Sequence, residues 1–522
     1  MSKSKTFRSL KWLHKYLSLI TLIFCLWMAL SGIALNHPRL LEKFSFSNQV
    51  MPANYQYQNW NRMSWRDSTF SRYHDNILYV GGKEGVWQSL NQGKSFAPLT
   101  AGFPTAAYEK DTFCLLLADH DGRETLFAGT RSGLFYLKGE QWHEIAHPLL
   151  KTTPIIDLLQ VEQQILAFTD SAAFKAEFNG EDPVFTALPL PRATGSSPRT
   201  PLFRWLRKIH DGSIFGLPGR LLVDSVGLLL IFLSLSGLLI WYVSRRKRRH
   251  GKTILSGRIF AFNFRWHLRL GIFGALFIAV TTLSGAFAHP PLLLTIARLQ
   301  VPTSLMPQAI SANPWTEKIQ RAAYLKSRER LIIATKQGLF SGPLDGKRDF
   351  LRLPDTLPIH GMGALVFESV DQDKLLIGSF SGLYLWDTTD QIVMQLKAKA
   401  QGNTPDWGRP IMATGVAIYQ GEPILAIDYE SGLKPLRQRV KLVPAMPNRL
   451  REQGRISLWH ALFELHNGRI FEQYIGPFYW FITPAGGLIF SLIILSGILL
   501  WLKRKVNGRQ AHLSAGKTEV KG

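Results

Sequence analysis

Cysteine is scarce in this chain, which has two cysteines among its 522 residues. Cys25 lies inside a long apolar run, whereas Cys114 lies in a stretch with the composition of a water-soluble domain. A disulfide bond requires the two Cα atoms to lie within about 7 Å of each other, and this difference in surroundings makes such an approach implausible. We therefore expect neither a disulfide framework nor cysteine chemistry.

A glycine-rich dinucleotide motif and a phosphate-binding loop are also absent from the sequence. The basic stretch between the two central apolar runs, residues 245–269, is too short to fold as a nucleotide-binding domain. We therefore expect that the chain cannot collect electrons from a bound flavin or nicotinamide of its own.

Acidic residues are few, since 37 Asp and Glu stand against 61 Lys and Arg, and the net charge is +24. An excess of this size could indicate nucleic-acid binding. The basic residues are concentrated beside the apolar runs, however, which is typical of the cytoplasmic ends of membrane spans. They are Lys3, Lys5, Arg8, Lys11, Lys15, Arg245, Arg246, Lys247, Arg248, Arg249, Lys503, Arg504 and Lys505. We predict a multi-pass membrane protein with cytoplasmic termini and no nucleic-acid partner.

One long apolar run occurs twice, as KWLHKYLSLITLIFCLWMALSGIALNHP (residues 11–38) and FRWHLRLGIFGALFIAVTTLSGAFAHPP (residues 264–291). In each copy a histidine precedes a Ser-Gly pair by seventeen residues, and a His-Pro follows the pair. About 20 apolar residues without charge span a bilayer as a helix. Each copy is therefore a predicted span with a histidine at each membrane face. The first copy is not read as a signal peptide, because its twin lies in mid-chain.

A second pair of segments, residues 209–243 and 465–502, shares His-Asp/Asn-Gly, Ile-Phe and an apolar span that contains Ser-Gly. The chain is thus predicted to be a tandem repeat of two parallel halves. Their four spans would form a four-helix bundle about an axis normal to the membrane. The predicted spans are residues 16–35, 221–243, 268–288 and 478–502.

Two long inserts separate the spans, and both are expected on the extracytoplasmic side. Each insert contains three predicted β-hairpins, in which an apolar strand, a polar turn with Gly or Ala, and a second apolar strand follow one another. The hairpins cover residues 77–89, 126–138, 165–177, 331–343, 375–387 and 424–436.

The hairpins recur about every forty to fifty residues within each insert, which is the period of a β-propeller blade. Three blades cannot close a ring but six can, and closure removes the unpaired edges that cause open sheets to aggregate. We therefore predict an all-β periplasmic domain, a six-bladed β-propeller built from both inserts. The alternative is a small β-sandwich in each insert. Residues 89–96 (SLNQGKSF) also resemble the Asp-box turn of sialidase-type propellers.

The predicted organisation has seven segments. They are the first helix (1–44), the first β insert (45–205), the second helix (206–250), a cytoplasmic loop with the third helix (251–299), the second β insert (300–455), the fourth helix (456–505) and a cytoplasmic tail (506–522).

Six histidines recur in register between the two halves. They form the pairs His14 with His267, His37 with His289, and His210 with His466. Neutral imidazole is a good axial ligand for haem iron, and two facing helices can supply one ligand each. A haem on the axis between the halves needs equivalent residues from both, so His14 and His267 are predicted to hold one near the cytoplasmic face.

The ligands of a second haem, near the opposite face, stay open. His37 with His289 and His210 with His466 are both suitable pairs, and the crossed set of His37 with His466 and His289 with His210 is a further choice. The competing interpretation is that these histidines are interfacial polar residues or helix caps, and that the Ser-Gly pairs only allow helices to pack closely.

The segments LHKYL and SGIALNH, together with IHDGSIFGLPGRLLVDSVGLLLIFLSLSGLLIWY, resemble the PepSY-associated transmembrane helix family. The resemblance implies a bacterial inner-membrane protein linked to iron uptake, similar to siderophore reductases that bind haem b between their helices. It carries over the same six histidines as ligands of two haem b groups. Reductases of the family have periplasmic PepSY domains, whereas this chain has hairpin repeats in that place.

We therefore predict a haem-containing electron-transfer protein, a ferric-siderophore reductase-like oxidoreductase. It would take electrons from a cytoplasmic or quinol donor and pass them to a periplasmic ferric chelate or partner protein. The alternative is a non-enzymatic membrane receptor or scaffold whose propeller binds a partner. A transporter is disfavoured, because no span has a charged residue in its apolar centre and no discontinuous helix is evident.

Overall fold

The computed structural model of the chain describes residues 3–519 except 180–181, 192, 195–198, 252–256, 306–312, 317, 336, 355–356, 358–362, 399–409 and 438–443. The chain divides into two compact units. The helical unit comprises residues 1–41, 198–309 and 458–522, and the β unit comprises residues 42–197 and 310–457.

The helical unit contains all but one of the α-helices described. In chain order the helices are α1 (Lys3–Ile20), α2 (Leu22–Leu35), α3 (Pro38–Leu41), α4 (Leu202–His210), α5 (Gly216–His250), α6 (Gly257–Phe287), α7 (Leu292–Ile296), α8 (Asn448–Gln453, in the β unit), α9 (Leu458–His466), α10 (Glu472–Ile475) and α11 (Ile482–Glu519). Long helices pack side by side, because α6 contacts both α5 and α11, while α1 contacts α11 and α2 contacts α5.

Three helical segments within the described residues are long and apolar enough to cross a membrane: Ser213–His250, Gly257–Phe287 and Arg469–Val506. The first apolar run forms two helices, Phe7–Ile20 and Leu22–Leu35, which are bent by 59° relative to each other. The chain has up to four spans if this bent pair counts as one.

The expectation of an unbroken first helix is therefore wrong, and Thr21 gives the physical reason. Its side-chain Oγ1 donates a hydrogen bond of 2.8 Å to the carbonyl oxygen of Leu17, one turn earlier. A Thr side chain that bonds back to the preceding turn competes with the backbone and often bends a helix.

Among the described residues, six sheets form most of the β unit, and the main strands of each sheet, which come from a single insert, pair in antiparallel fashion. The first insert gives β2–β5 (Asp67–Phe70, Leu78–Gly82, Gly85–Ser89, Ala97–Pro98), β6–β9 (Thr112–His120, Arg123–Thr130, Leu134–Lys138, Gln141–Glu144) and β10–β13 (Asp157–Val161, Gln164–Phe168, Ala173–Asn179, Asp182–Leu188). The second gives β17–β20 (Ile319–Leu325, Arg330–Thr335, Gly338–Gly342, Phe350–Arg352), β21–β24 (Val366–Ser369, Lys374–Ser379, Gly382–Asp387, Ile392–Leu396) and β25–β27 (Ala413–Tyr419, Glu422–Asp428, Gly432–Pro435).

The remaining strands are short and join distant parts of the chain. β1 (Ser45–Ser47) pairs with β28 (Arg455–Ser457), β14 (Ala193–Thr194) extends the fourth sheet beside β20, and β15 (Arg199–Pro201) pairs with β16 (Gln300–Pro302). The pairing of β1 with β28 brings the start of the first insert to the end of the second.

The six predicted hairpins are confirmed as β3–β4, β7–β8, β11–β12, β18–β19, β22–β23 and β26–β27. The first strands of successive sheets, β2, β6, β10, β17, β21 and β25, are neighbours in that order, and β25 also contacts β2. The sheets therefore follow one another in a closed, β-propeller-like order, with apolar cores between neighbouring sheets.

Arg321, on β17, links strands and loops from both inserts. Its Nη1 donates to the carbonyl oxygen of Ile156 at 2.8 Å, its Nη2 to that of Phe113 at 3.3 Å, and its Nε to that of Leu365 at 3.0 Å. The guanidinium group also forms an ion pair of 3.5 Å with Asp157. One buried side chain thus links the sheet of β17–β20 to the sheets that begin with β6, β10 and β21.

Asp157 contributes a pH dependence to the stability of the β unit. Its Oδ2 accepts a hydrogen bond of 2.7 Å from the backbone N–H of Ala322. Burial nevertheless raises the pKa of Asp157 from 3.8 to about 6. Because the folded-state pKa is the higher one, the protonated form is favoured by folding. The associated stability is complete below the unfolded pKa and is lost as pH rises through about 6.

We expect the melting temperature of the wild-type β unit to fall as pH rises from 4 to 7, and the Asp157→Asn variant to show a flatter profile. A shift of about two units corresponds to at most about 3 kcal/mol over this range. Tryptophan fluorescence during thermal unfolding measures the melting temperature at each of a series of pH values. Parallel profiles for the two proteins would contradict the assignment. Asp345→Asn is the control, because the pKa of this exposed carboxyl group is lowered to about 2 by hydrogen bonds from Lys347 and Arg348.

Candidate functional site

His14 and His267 occupy equivalent settings in the helical unit. His14 Nδ1 lies 3.0 Å from Ser496 Oγ and 3.1 Å from the carbonyl oxygen of Ile493. His267 Nδ1 lies 2.7 Å from Ser236 Oγ. Each histidine is thus held by the Ser-Gly pair of another helix, that of α11 for His14 and that of α5 for His267.

His466 and His210 are held in the same manner by the other two Ser-Gly pairs. His466 Nδ1 lies 2.7 Å from Ser31 Oγ on α2. His210 Nδ1 lies 2.8 Å from the carbonyl oxygen of Thr281, one turn before Ser284 and Gly285 on α6. All four histidines therefore contact a helix that belongs to the opposite half of the chain.

The acceptors define which ring nitrogen carries the proton. A carbonyl oxygen cannot donate, so the contacts to Ile493 and Thr281 require a proton on Nδ1 of His14 and His210. The hydroxyls of Ser31 and Ser236 donate to backbone carbonyls of their own helices and accept from the imidazoles of His466 and His267. In all four rings Nε2 then keeps its lone pair, which is the arrangement of a metal-binding histidine with an oriented second shell.

The glycine of each Ser-Gly pair leaves room for an imidazole ring. A Cβ atom on Gly285 would lie 2.5 Å from His210 Cε1, which no carbon pair tolerates. The corresponding distances are 3.3 Å for Gly237 with His267, 3.3 Å for Gly497 with His14 and 3.5 Å for Gly32 with His466. The serine or the preceding carbonyl orients the ring, and the glycine admits it.

A cavity of about 970 Å³ lies beside His14 and His267. Most of its walls are apolar side chains of the long helices, and Gly237 and Gly497 are among the lining residues. Six basic residues also line it: Arg8, Lys11, Lys15, Lys247, Arg248 and Arg504. The volume is that of a site for a cofactor-sized molecule, and the cations favour a molecule with anionic groups.

His210 and His466 face each other at close range. Their ring centroids are 6.2 Å apart and the rings are inclined by 48°. Two imidazoles on opposite sides of one metal ion would have centroids about 6 Å apart, given metal–nitrogen bonds of about 2.0 Å and a ring radius of about 1.1 Å. The observed spacing therefore fits a shared metal ion.

The structure gives His37 a different partner. Its Nε2 lies 3.0 Å from Asp224 Oδ2, and Asn36 Nδ2 donates to Asp224 Oδ1 at 2.8 Å. The nitrogen that would bind a metal is thus occupied by a buried carboxylate. His289 lies within electrostatic range of His210 and His466.

Sequence reasoning missed two buried carboxylates at this site. Asp224 is 8% exposed, and Glu464 on α9 is 2% exposed. Glu464 precedes His466 by two residues. It forms ion pairs with His460 at 3.3 Å and with Arg469 at 3.2 Å. The lone acidic residue near the start of an apolar run was the available signal for Asp224.

Residues 167–504 match the model of a protein family described as the PepSY-associated TM region. The chain belongs to this family. His210, His267 and His466 fall within the matched residues of this PepSY-associated TM protein, whereas His14 lies before them. No curated protein matches the chain.

Several solved structures resemble parts of this PepSY-associated TM protein. The extracellular domain of a hybrid two component system from B. thetaiotaomicron is 11% identical with a TM-score of 0.35, and the match covers 72% of this chain and 33% of that one. A GH74 xyloglucanase from Xanthomonas campestris is 9% identical with a TM-score of 0.33, covering 73% and 46%. YCF48 from Cyanidioschyzon merolae is 9% identical with a TM-score of 0.28, covering 65% and 87%. The chain spans about a third of the length of the first of these proteins.

Two glycine substitutions should differ sharply in this PepSY-associated TM protein. Gly285→Ala would force the His210 ring to move, whereas Gly32→Ala meets His466 at an ordinary contact distance of 3.5 Å. We expect Gly285→Ala to lower the melting temperature of the purified protein in detergent and Gly32→Ala to leave it within about a degree. Overpacking of this kind typically costs about 1–3 kcal/mol. Equal effects of the two substitutions would contradict this account of the His210 site.

Proposed function

We propose that this protein is a haem-containing electron-transfer protein of the bacterial inner membrane that reduces a ferric chelate, such as a ferric siderophore, in the periplasm. The observation that supports this most directly is the setting of the four histidines. Each has Nδ1 hydrogen-bonded and Nε2 left as a ligand. Two such imidazoles would hold a haem whose chemistry is one-electron transfer.

We propose two haem b groups. His14 and His267, beside the cavity of about 970 Å³, would bind one, and His210 and His466 would bind the other. The two histidines of each pair would hold the iron of the group, and the apolar side chains of the cavity would surround its ring. The basic residues of the cavity would face the two carboxylates of a haem. When bound, these groups supply one-electron chemistry between a donor and an acceptor.

The basic ends of the long helices support the orientation. Arg245 to Arg249 end α5 and Lys503 to Lys505 follow the apolar part of α11, as expected for cytoplasmic ends. In this orientation both termini are cytoplasmic. The β unit, which we propose is a six-bladed β-propeller, is periplasmic. Electrons from a cytoplasmic or quinol donor would enter at His14 and His267.

A row of aromatic side chains supports passage between the two histidine pairs. Phe490 lines the cavity beside His14 and contacts Phe24 at 5.7 Å between ring centroids. Phe24 contacts Trp27 at 5.2 Å, and Trp27 contacts Phe471 at 5.7 Å, five residues after His466. These four rings form a continuous row of aromatic contacts from the cavity to the segment that follows His466.

An absorption spectrum of the purified protein tests the cofactor. We expect a Soret band that shifts on reduction with dithionite, together with the α and β bands of six-coordinate low-spin haem b. A colourless protein from haem-replete cells would instead favour the receptor or scaffold whose propeller binds a partner.

Histidine substitutions test the pairing. His14→Ala and His267→Ala should each remove the same haem, and the double variant should lose little more, because the two ligands act as a unit. His210→Ala should remove the other haem. His37→Ala is the matched control and should keep both, since its Nε2 binds Asp224. Loss of haem in the control equal to that in His210→Ala would overturn the pairing.

Reduction of a periplasmic ferric chelate tests the direction of transfer. In right-side-out vesicles with an internal electron donor, His14→Ala should abolish reduction while the spectrum of the second haem persists. Full haem content together with full reductase activity in His14→Ala would show that the first pair is not the electron entry.

A further inference from the structure

Arg62 of the β unit is a buried cation in an unusual setting. It is 5% exposed, and its Nε and Nη1 atoms find no hydrogen-bond acceptor among the described residues. Its guanidinium carbon lies 4.8 Å from the ring centroid of Tyr55 and 4.7 Å from that of Tyr429. A desolvated charge without a counter-ion is costly, so such a group requires an explanation.

The loop that carries Arg62 has a strained backbone. Trp60, Arg62 and Met63 have φ angles of 59°, 57° and 64°, a conformation that non-glycine residues rarely adopt. Three left-handed residues within four positions store backbone strain, and such strain is found at ligand clamps.

Contacts from both inserts hold this loop in place. Arg62 N donates to the carbonyl oxygen of Tyr429 at 2.7 Å, and Trp60 Nε1 donates to that of Pro444 at 3.1 Å. On the other side, Lys83 N donates to the carbonyl oxygen of Met63 at 3.0 Å. A Cβ atom on Gly82 would lie 2.0 Å from the carbonyl oxygen of Ser64, so the β3–β4 turn presses directly on the loop. Arg62 is therefore positioned rigidly.

The charges around Arg62 do not balance. In the cluster of interacting charges that includes Arg62, the cations among the described residues are Arg62, Arg66, Lys83, Lys110 and Arg131, and the carboxylates are Glu42, Glu84 and Asp111. Asp111 pairs with Arg66 and Arg131 at 2.8 Å each, Glu84 pairs with Lys110 at 2.7 Å, and Glu42 lies near Arg131. Arg62 and Lys83 have no carboxylate partner among the described residues.

Lys83 strengthens this local excess of positive charge. It stands in the turn between β3 and β4 and is close enough to Arg62, Arg66, Asp111 and Tyr429 to interact with them electrostatically. Burial lowers the pKa of Lys83, which shows that its charge is also poorly solvated. Tyr429 and Tyr55 supply aromatic surface beside Arg62, and Tyr429 also interacts with Lys83.

We propose that Arg62 and Lys83, between Tyr55 and Tyr429, form a binding site in the β unit for an oxyanion, that is, a carboxylate or phosphate group of a small solute. Such a group would supply the acceptors that the guanidinium lacks and neutralise the two excess charges. Both inserts build the site, because Tyr429 belongs to the second and the other three residues to the first. The site is independent of haem binding.

Thermal unfolding of the full-length protein in detergent, followed by tryptophan fluorescence, tests the proposal. The probes are sodium citrate and sodium phosphate, each compared with sodium chloride at equal ionic strength. An anion that binds the folded state raises the melting temperature according to its concentration relative to its Kd. We expect at least one probe to raise the melting temperature in a saturable way. The probe with the larger effect identifies the bound group as a carboxylate or a phosphate.

Three variants separate a binding role from a structural one. Arg62→Met should lose the anion-dependent rise in melting temperature, because its affinity for the anion should be at least tenfold weaker. Lys83→Met should show a smaller rise than wild type. In sodium chloride Arg62→Met should melt no lower than wild type, because removing an unpaired buried charge relieves its desolvation. Arg72→Met, which removes a surface arginine that is 62% exposed, should respond as wild type.

Two results in the anion titrations would overturn the proposal, and a third would do so in chloride alone. One is a wild-type protein whose melting temperature rises no further with citrate or phosphate than with chloride. The other is an Arg62→Met variant that unfolds normally and retains the wild-type response. Should Arg62→Met melt lower than wild type in chloride, Arg62 is a structural residue and the binding role is rejected.

Discussion

The helical unit depends on one type of hydrogen bond, that from an imidazole Nδ1 to an oxygen on a neighbouring helix. Four such bonds of 2.7–3.1 Å fix four rings and leave each Nε2 as a potential ligand. Without them a histidine inside an apolar bundle could rotate or exchange tautomers, and its ligand atom would have no defined position. The apolar helices carry the four histidines, and these four contacts determine the direction in which each imidazole ring points.

The β unit solves a different physical problem, which is how two separate stretches of chain form one structure. Each first strand lies beside the next, and the first insert also meets the second at β25 and β2 and at β1 and β28. Arg321 adds a polar fastening at the centre of these contacts, with acceptors on both inserts. Apolar packing supplies most of the stability, while hydrogen bonds of this kind determine which sheets are neighbours.

Local sequence patterns predicted the local elements well. Alternating apolar residues around a glycine turn gave the six hairpins, and the repeated runs of apolar residues gave the long helices. The predicted repeat also suggested which histidines correspond to one another. It did not indicate what each histidine contacts, because the Ser-Gly pair that holds His14 is 482 residues away in the chain. A pattern that repeats within each half contains no information on contacts between the halves.

Other features depend on tertiary contacts that one sequence does not reveal. The pairing of His37 with Asp224 joins residues 187 apart, and nothing in the local sequence marks either as the partner of the other. The bend at Thr21 follows from a side-chain rotamer, and the left-handed backbone at Arg62 follows from contacts on both sides of its loop. Asn36 belongs to the Leu-Asn-His motif of the sequence, but the motif does not indicate its hydrogen bond to Asp224.

The direction of the four imidazole contacts has a consequence for the assembly of the helical unit. His14 reaches from the first half to Ser496 in the second, and His267 reaches from the second half to Ser236 in the first. His466 and His210 cross in the same reciprocal way, to Ser31 and to the carbonyl of Thr281. Each contact joins residues on opposite sides of residue 250, so a chain cut near that residue would leave all four rings without these partners unless its two fragments packed together again. Neither half of the helical unit can therefore position its own histidines before the other half has packed against it.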